Sequence, residues 1–166
     1  MSEAIGFGIK GREPCADPLH YTASGLDDVY LLNGFTIEET DYGRGTVIEC
    51  VDALHTAIAR HLVIHRKRLS AKEFRFLRRQ IDMTQAELAG RLGLDAQTVA
   101  RYEKGETAIS GPADLALRFV YILWALPSGE QALVAEALKS LLDTDEPAET
   151  VPARFVATEA GWREAA

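Results

Sequence analysis

Residues 84–105 constrain the fold of this chain more than any other segment. They read TQAELAGRLGLDAQTVARYEKG, in which apolar residues at helical spacing fall on the inward faces of two short helices. These residues are Leu88, Leu92, Val99 and Tyr102. Ala89 is small where the two helices would approach each other, Gly93 suits the left-handed turn between them, and Gly105 ends the second helix. The segment therefore predicts two short helices that cross steeply.

Helix-start signals divide residues 69–143 into five helices. A hydroxyl residue followed three positions later by Glu or Gln occurs at Ser70, Thr84 and Ser128, and the two side chains of this pattern satisfy free amides at a helix start. Asp95 and Ser110 are two further candidate caps. In the last two helices apolar residues share one face, which indicates core or a dimer interface rather than a cofactor pocket. They are Leu115, Phe119 and Ile122 in the first, and Val134, Ala137, Leu138 and Leu141 in the second.

The N-terminal half predicts a small antiparallel sheet. Two β-favouring runs, 29–32 and 35–39, flank Asn33-Gly34, a pair that tolerates the positive φ angles of a tight hairpin turn. A second turn leads to a third short strand at 46–48.

A helix follows the predicted sheet, and together they give an α+β fold. Asp52 can cap this helix, whose apolar stripe is Leu54, Ile58 and Leu62. We divide the chain into a flexible arm at 1–18, a sheet-plus-helix module at 19–68 for dimerisation or partner binding, a five-helix domain at 69–143, and an acidic, flexible tail at 144–166.

Charge is segregated along the sequence. Residues 66–105 hold ten basic and five acidic side chains, a local charge of +5, whereas the whole chain carries −7 and the remainder therefore −12. A phosphate backbone responds to the charge within a Debye length, so the basic segment can attract nucleic acid although the chain is acidic.

The run TQAELAGRLGLDAQTVARYEKGE closely resembles the DNA-binding domain of the XRE family, the lambda-repressor-like regulators, with a match over residues 74–124. The resemblance implies that the second helix of the motif lies in the major groove and faces it with Ala96, Gln97, Thr98 and Arg101. Gln97 could pair with adenine and Arg101 with guanine, each contact giving about 1–3 kcal/mol of discrimination, while Thr98 and Ala96 could contact a thymine methyl.

The same resemblance assigns supporting roles to residues around the recognition helix. Gln85 would touch a phosphate and brace that helix, and helix-start amides would add to this grip on the DNA backbone. Thr84, Arg79, Lys104 and Thr107 are further candidate phosphate-binding residues. Arg78 and Glu103 occupy positions that form a buried ion pair in many relatives, which implies a structural role for both.

Residues 21–62 resemble, more weakly, the segment before the helix-turn-helix in MqsA-type antitoxins. That group often carries a zinc ribbon with paired CxxC motifs, whereas this chain has only Cys15 and Cys50, so we expect neither a disulfide nor a cysteine-bound metal. His61 and His65 have the i, i+4 spacing of a metal pair, but basic neighbours make a cation unwelcome there. We interpret the two histidines as an ordinary helix face and expect no metal and no cofactor.

These observations predict a sequence-specific double-stranded DNA-binding transcriptional regulator. We expect a homodimeric repressor or autoregulator, because one motif reads only a few base pairs. The alternative is an antitoxin-like protein that binds a toxin through its N-terminal module and autoregulates its operon. An enzyme is not expected, since a Gly-rich phosphate loop and a nucleophile elbow are both absent. Without a signal peptide or a long apolar run, we expect a cytoplasmic protein with no membrane partner.

Overall fold

Six strands and six α-helices make up residues 17–143 and 151–165, the part of the chain that the computed structural model describes. The strands are β1 (Leu19–His20), β2 (Val29–Leu31), β3 (Phe35–Thr40), β4 (Gly43–Ile48), β5 (Ala153–Thr158) and β6 (Gly161–Glu164). The helices are α1 (Val51–His65), α2 (Ala71–Gln80), α3 (Gln85–Leu92), α4 (Ala96–Lys104), α5 (Gly111–Ala125) and α6 (Ser128–Asp143). The α+β class and the five helices expected within 69–143 are confirmed. The arm predicted at 1–18 lies almost entirely outside the described residues.

A four-stranded sheet combines strands from both ends of the chain, in the order β1-β2-β5-β6. β2 and β5 run parallel, with Leu31 opposite Phe155, and the two outer pairs are antiparallel. The prediction of a flexible tail is therefore wrong for residues 151–165. In β5 the side chains of Ala153, Phe155 and Ala157 are buried while their neighbours are more exposed, and this alternation is typical of a strand with one face on the core. The acidic, Pro-containing stretch before β5 favoured the prediction of a tail over that of a strand.

Asn33 and Gly34 form a corner between two sheets rather than the predicted hairpin turn. β3 pairs with β4 in a separate two-stranded sheet, and β2 does not pair with β3. The Asn33 amide donates to Ala157 O and accepts from Ala157 N at 3.1 and 2.6 Å, which binds the corner to β5. Gly34 has a φ of 72°, and a Cβ on it would lie 2.6 Å from the Trp162 ring. Gly34 thus provides the positive φ and the close approach to Trp162, but Asn33-Gly34 does not form a hairpin turn.

One hydrophobic core joins the N-terminal sheet to the helices. Its fully buried members come from β2, β5 and all six helices, and include Leu31, Phe155, Leu54, Ile58, Leu77, Leu88, Val99, Leu117 and Leu138. The boundary predicted at residue 68 therefore does not separate two cores.

Arg118 on α5 holds the connection between α1 and α2. Its guanidinium donates to the carbonyls of Leu62 and Val63 at 3.0 and 2.7 Å and to Asp114 at 2.5 Å. The other oxygen of Asp114 accepts from Leu69 N at 2.7 Å. This buried network satisfies free carbonyls near the end of α1 and fixes the start of the helical domain on the first helix.

The predicted caps are found at four of the six sites. Ser70 and Thr84 form reciprocal capping boxes with Glu73 and Glu87, and Asp95 and Ser110 each accept from a first-turn amide. Ser128 instead lies inside α6, whose first turn bonds to the Pro127 carbonyl. α1 likewise begins one residue before Asp52, with Cys50 as its N-cap.

The outer side of α5 and α6 is apolar and exposed. Ile122 is buried as predicted, but Phe119 is 43% exposed, and Leu123, Trp124, Leu133 and Leu142 are also exposed. The stripe predicted on α5 is thus divided between the core and the surface. Among the described residues, no helix combines the length and the apolar character needed to cross a bilayer.

Candidate nucleic-acid interface

α3 and α4 form a helix-turn-helix whose turn is set by Gly93. This residue has a φ of 67° and ends α3 in the left-handed conformation. The next amide, that of Leu94, donates to Ala89 O at 2.9 Å, which closes the end of the helix. Ala89 and Val99 are both buried, so small and β-branched side chains lie where the two helices meet.

Asp95 fixes the first turn of α4. Its carboxylate accepts from the Thr98 amide at 2.9 Å and from the Thr98 hydroxyl at 2.6 Å. These hydrogen bonds from Thr98 hold the pKa of Asp95 below its ordinary value, so Asp95 is a carboxylate at neutral pH. The hydroxyl proton of Thr98 is already engaged, and its methyl group is left for an apolar contact.

Three of the predicted base-reading residues lie in the first turn of α4, and Arg101 lies about one turn further along the helix. Ala96, Gln97 and Arg101 are exposed and Thr98 is half-buried. Gln97 and Arg101 are four residues apart, so they share one side of the helix. Within the described residues Arg101 has no ion-pair partner, which leaves its five guanidinium N–H groups available. The role of these four side chains in base recognition stays a prediction.

A buried carboxylate ties α4 to the two helices before it. Glu103 on α4 accepts two hydrogen bonds from Arg78 on α2, from Nε at 2.5 Å and from Nη2 at 2.9 Å, and one from Gln85 on α3 at 2.8 Å. Arg78 also donates to Met83 O at 2.5 Å. Three helices thus meet at one carboxylate, and the angle of α4 is set by paired charges as well as by packing.

The surroundings of Glu103 act in opposite directions on its pKa. Burial raises the pKa, whereas the hydrogen bonds from Arg78 and Gln85 and the charge of Arg78 lower it, and the net shift is downward. Glu103 is therefore ionised at neutral pH, as a bidentate partner of an arginine should be.

The candidate phosphate-binding residues surround α4, and some already have partners. Arg79, Lys104 and Thr107 are exposed, and the Lys104 ammonium lies 3.8 Å from Glu106 in a solvated pair of little energetic value. The Thr84 hydroxyl donates to Glu87 at 2.8 Å.

Gln85 is half-buried, and one of its two amide protons is bound to Glu103. The structure thus places it as a brace of α4, while the phosphate contact stays a prediction.

Arg91 is a residue at this surface that the sequence reasoning missed. Its guanidinium carbon lies 4.1 Å from the centre of the Trp124 ring, a cation–π arrangement that joins α3 to α5. Arg91 and Trp124 are far apart in the sequence, so no local sequence pattern indicates their contact.

Comparison with known families agrees with this geometry. A family model described as helix-turn-helix matches residues 74–112, which extend from α2 to the start of α5. The match confirms a helix-turn-helix at this segment and agrees with its resemblance to the XRE type. Searches of curated proteins and of solved structures found no match to the chain.

The helix-turn-helix match identifies a DNA-binding type of domain, and it spans all eleven residues that the sequence analysis assigned to DNA contact or to the ion pair. The matched segment does not include residues 21–62, so the weaker resemblance of that part to MqsA-type antitoxins stays a prediction.

Proposed function

We propose that this protein is a sequence-specific, dimeric transcriptional repressor or autoregulator that reads the major groove of DNA with α4. The observation that carries the proposal is an exposed helix face with Gln97 and Arg101, held at a fixed angle by the buried contact between Arg78 and Glu103. Side chains that read bases must be held by a rigid support, since small misplacements weaken paired hydrogen bonds.

Charge supports the same proposal. The helix-turn-helix lies within the segment of net charge +5, and Arg79, Arg101 and Lys104 are exposed around α4. Such a cluster gains free energy by displacing counterions from the phosphate backbone. The acidic remainder of the chain repels DNA elsewhere and thereby limits the protein to one mode of approach.

A second copy of the chain is the proposed occupant of the apolar surface on α5 and α6. One helix-turn-helix reads only a few base pairs, and twofold pairing on half-sites supplies the rest of the specificity. Phe119, Leu123 and Trp124 are exposed on α5, and Trp124 contacts α3 through Arg91. A dimer formed here would fix the distance between the two recognition helices. Leu123→Glu should convert a dimer to a monomer in sedimentation experiments.

The test of DNA reading is fluorescence anisotropy with the DNA upstream of this protein's own gene and with a shuffled control, over a salt series. Arg101→Ala should weaken binding to the native fragment by about 5- to 160-fold, the equivalent of one bidentate base contact, with little effect on the shuffled one. Arg163→Ala is the matched control, because it removes the same charge from an exposed residue of β6. Equal, weak binding to both fragments would reject self-regulation at that site.

A second candidate function is an antitoxin-like protein that binds a toxin through its N-terminal part. The β3–β4 hairpin favours it, because Ile37, Tyr42 and Val47 are exposed there. Ile37 pairs with Thr46 and Val47 with Thr36, so the two apolar side chains lie on opposite faces. Co-purification of a small basic protein, lost in an Ile37→Ser, Val47→Ser variant that still binds DNA, would support this function.

A further inference from the structure

Two histidines of α1 meet a carboxylate of β6 where the helix contacts the C-terminal strand. His61 Nδ1 lies 2.9 Å from Glu164 Oε2, and His65 Nε2 lies 3.3 Å from the same oxygen. The three potential ligand atoms all lie within 4.8 Å of one another. Two ligands bonded to one tetrahedral Zn²⁺ at about 2.0–2.1 Å are about 3.4 Å apart. The cluster therefore has nearly the dimensions of a metal site.

His61 is a buried imidazole whose ring nitrogens lack well-aligned hydrogen bonds. Its side chain is 7% exposed, and despite the short contact with Glu164 neither ring nitrogen makes a well-aligned hydrogen bond to the described residues. Leaving such a group unsatisfied costs free energy. The Phe155 ring lies edge-on to the imidazole, with centroids 5.9 Å apart, so one side of His61 is apolar and the other turns to Glu164.

Two of the basic neighbours that argued against a cation form ion pairs with carboxylates. Arg66 contacts Asp28 and also Glu73, the latter at 2.9 Å. Arg60 forms an ion pair with Glu130. Because each of these guanidinium groups is paired with a carboxylate, the repulsion between the two arginines and a cation bound at the histidines is reduced.

We propose that His61, His65 and Glu164 bind one divalent transition-metal ion, with Zn²⁺ as the best fit. Two imidazoles and one carboxylate suit Zn²⁺ and its first-row neighbours, whereas Mg²⁺ and Ca²⁺ prefer oxygen ligands. The side chains of His65 and Glu164 are 52% and 38% exposed, so an ion can enter from solvent and water can complete the coordination. The earlier interpretation of an ordinary helix face lacked the third ligand, which lies about a hundred residues further along the chain.

The site would join the first helix to the last strand. Metal binding would connect His61 and His65 directly to β6 and thereby stabilise the C-terminal strands in the four-stranded sheet. None of the three ligands belongs to the DNA interface, so the proposal stands apart from the proposed function.

The test uses the full chain without an affinity tag, stripped with a chelator and titrated with Zn²⁺ and Co²⁺ by calorimetry and visible absorption. We expect one equivalent of either metal, the absorption of tetrahedral Co²⁺, and a rise in Tm with Zn²⁺. His65→Ala and Glu164→Gln should each lower the affinity by about tenfold or more, since loss even of an outer-shell partner has that effect. His20→Ala is the matched control, because it removes an exposed histidine of β1.

Three results would overturn the proposal. One is the absence of stoichiometric binding by the wild type. The second is equal affinity of the wild type and His65→Ala, and the third is a loss in His20→Ala as large as that in His65→Ala, because either would indicate adventitious binding by surface histidines. Both ligand variants change exposed side chains, and circular dichroism of each variant is to be recorded to check that the fold is retained.

Discussion

Removal of the Glu103 carboxylate should be among the most destabilising single changes in this protein. The Glu103 and Arg78 side chains are 3% and 11% exposed, so Glu103→Ala leaves an arginine charge in a site that water hardly reaches. Two charge-assisted hydrogen bonds from Arg78 are lost, each worth about 1.5–3 kcal/mol when its partner is left buried. The sum agrees with the loss of about 3–5 kcal/mol that breaking a buried pair causes.

The assay is urea unfolding followed by far-UV circular dichroism at neutral pH. Lys104→Ala is the control, because its pair with Glu106 is exposed and should contribute less than about 1 kcal/mol. A double variant, Arg78→Met with Glu103→Leu, should recover most of the loss, since no unpaired charge remains. A loss of less than about 1 kcal/mol in Glu103→Ala would refute the reasoning that the pair is buried and supports α4.

Two further predictions concern pH and the C-terminal strands. The pKa of Glu103 is lowered from its ordinary value of 4.5, so the stability that its ion pair contributes is fully present above about pH 4.5 and is lost as the pH falls through the lowered value. In urea unfolding, the difference in the free energy of unfolding between wild type and Glu103→Gln should therefore shrink as the pH falls. A difference that stays constant would contradict this. Phe155→Ala should lower the free energy of unfolding by about 3–5 kcal/mol, because Phe155 is fully buried in the core, whereas a flexible tail would give no change in the same measurement.

The helical domain was predictable because its signals are local. Ser70, Thr84 and Asp95 cap the helices that begin beside them, and Gly93 and Ala89 act within one turn of their own positions. The contact between Arg78 and Glu103 came from family resemblance rather than from spacing, since the two residues are 25 positions apart.

The N-terminal half was predicted less well because its pairings are distant in sequence. β2 has a nearer candidate partner in β3, and Asn33-Gly34 strengthened that choice. β2 instead pairs with β1 on one edge and with β5 on the other. β5 lies beyond all six helices, and no local pattern indicates it. The proposed metal ligands were missed for the same reason, because Glu164 approaches His61 only when the sheet is complete.

The pairing of β2 with β5 also determines the order in which the molecule can assemble. Asn33 and Ala157 are 124 residues apart, and closing a flexible loop of that length costs about 4 kcal/mol in chain entropy. The helices close much shorter loops and can form first, so the sheet should be completed late, when the rest of the molecule has brought its strands together. During synthesis β2 can pair with β1 early, but its other edge stays unpaired until β5 has been made.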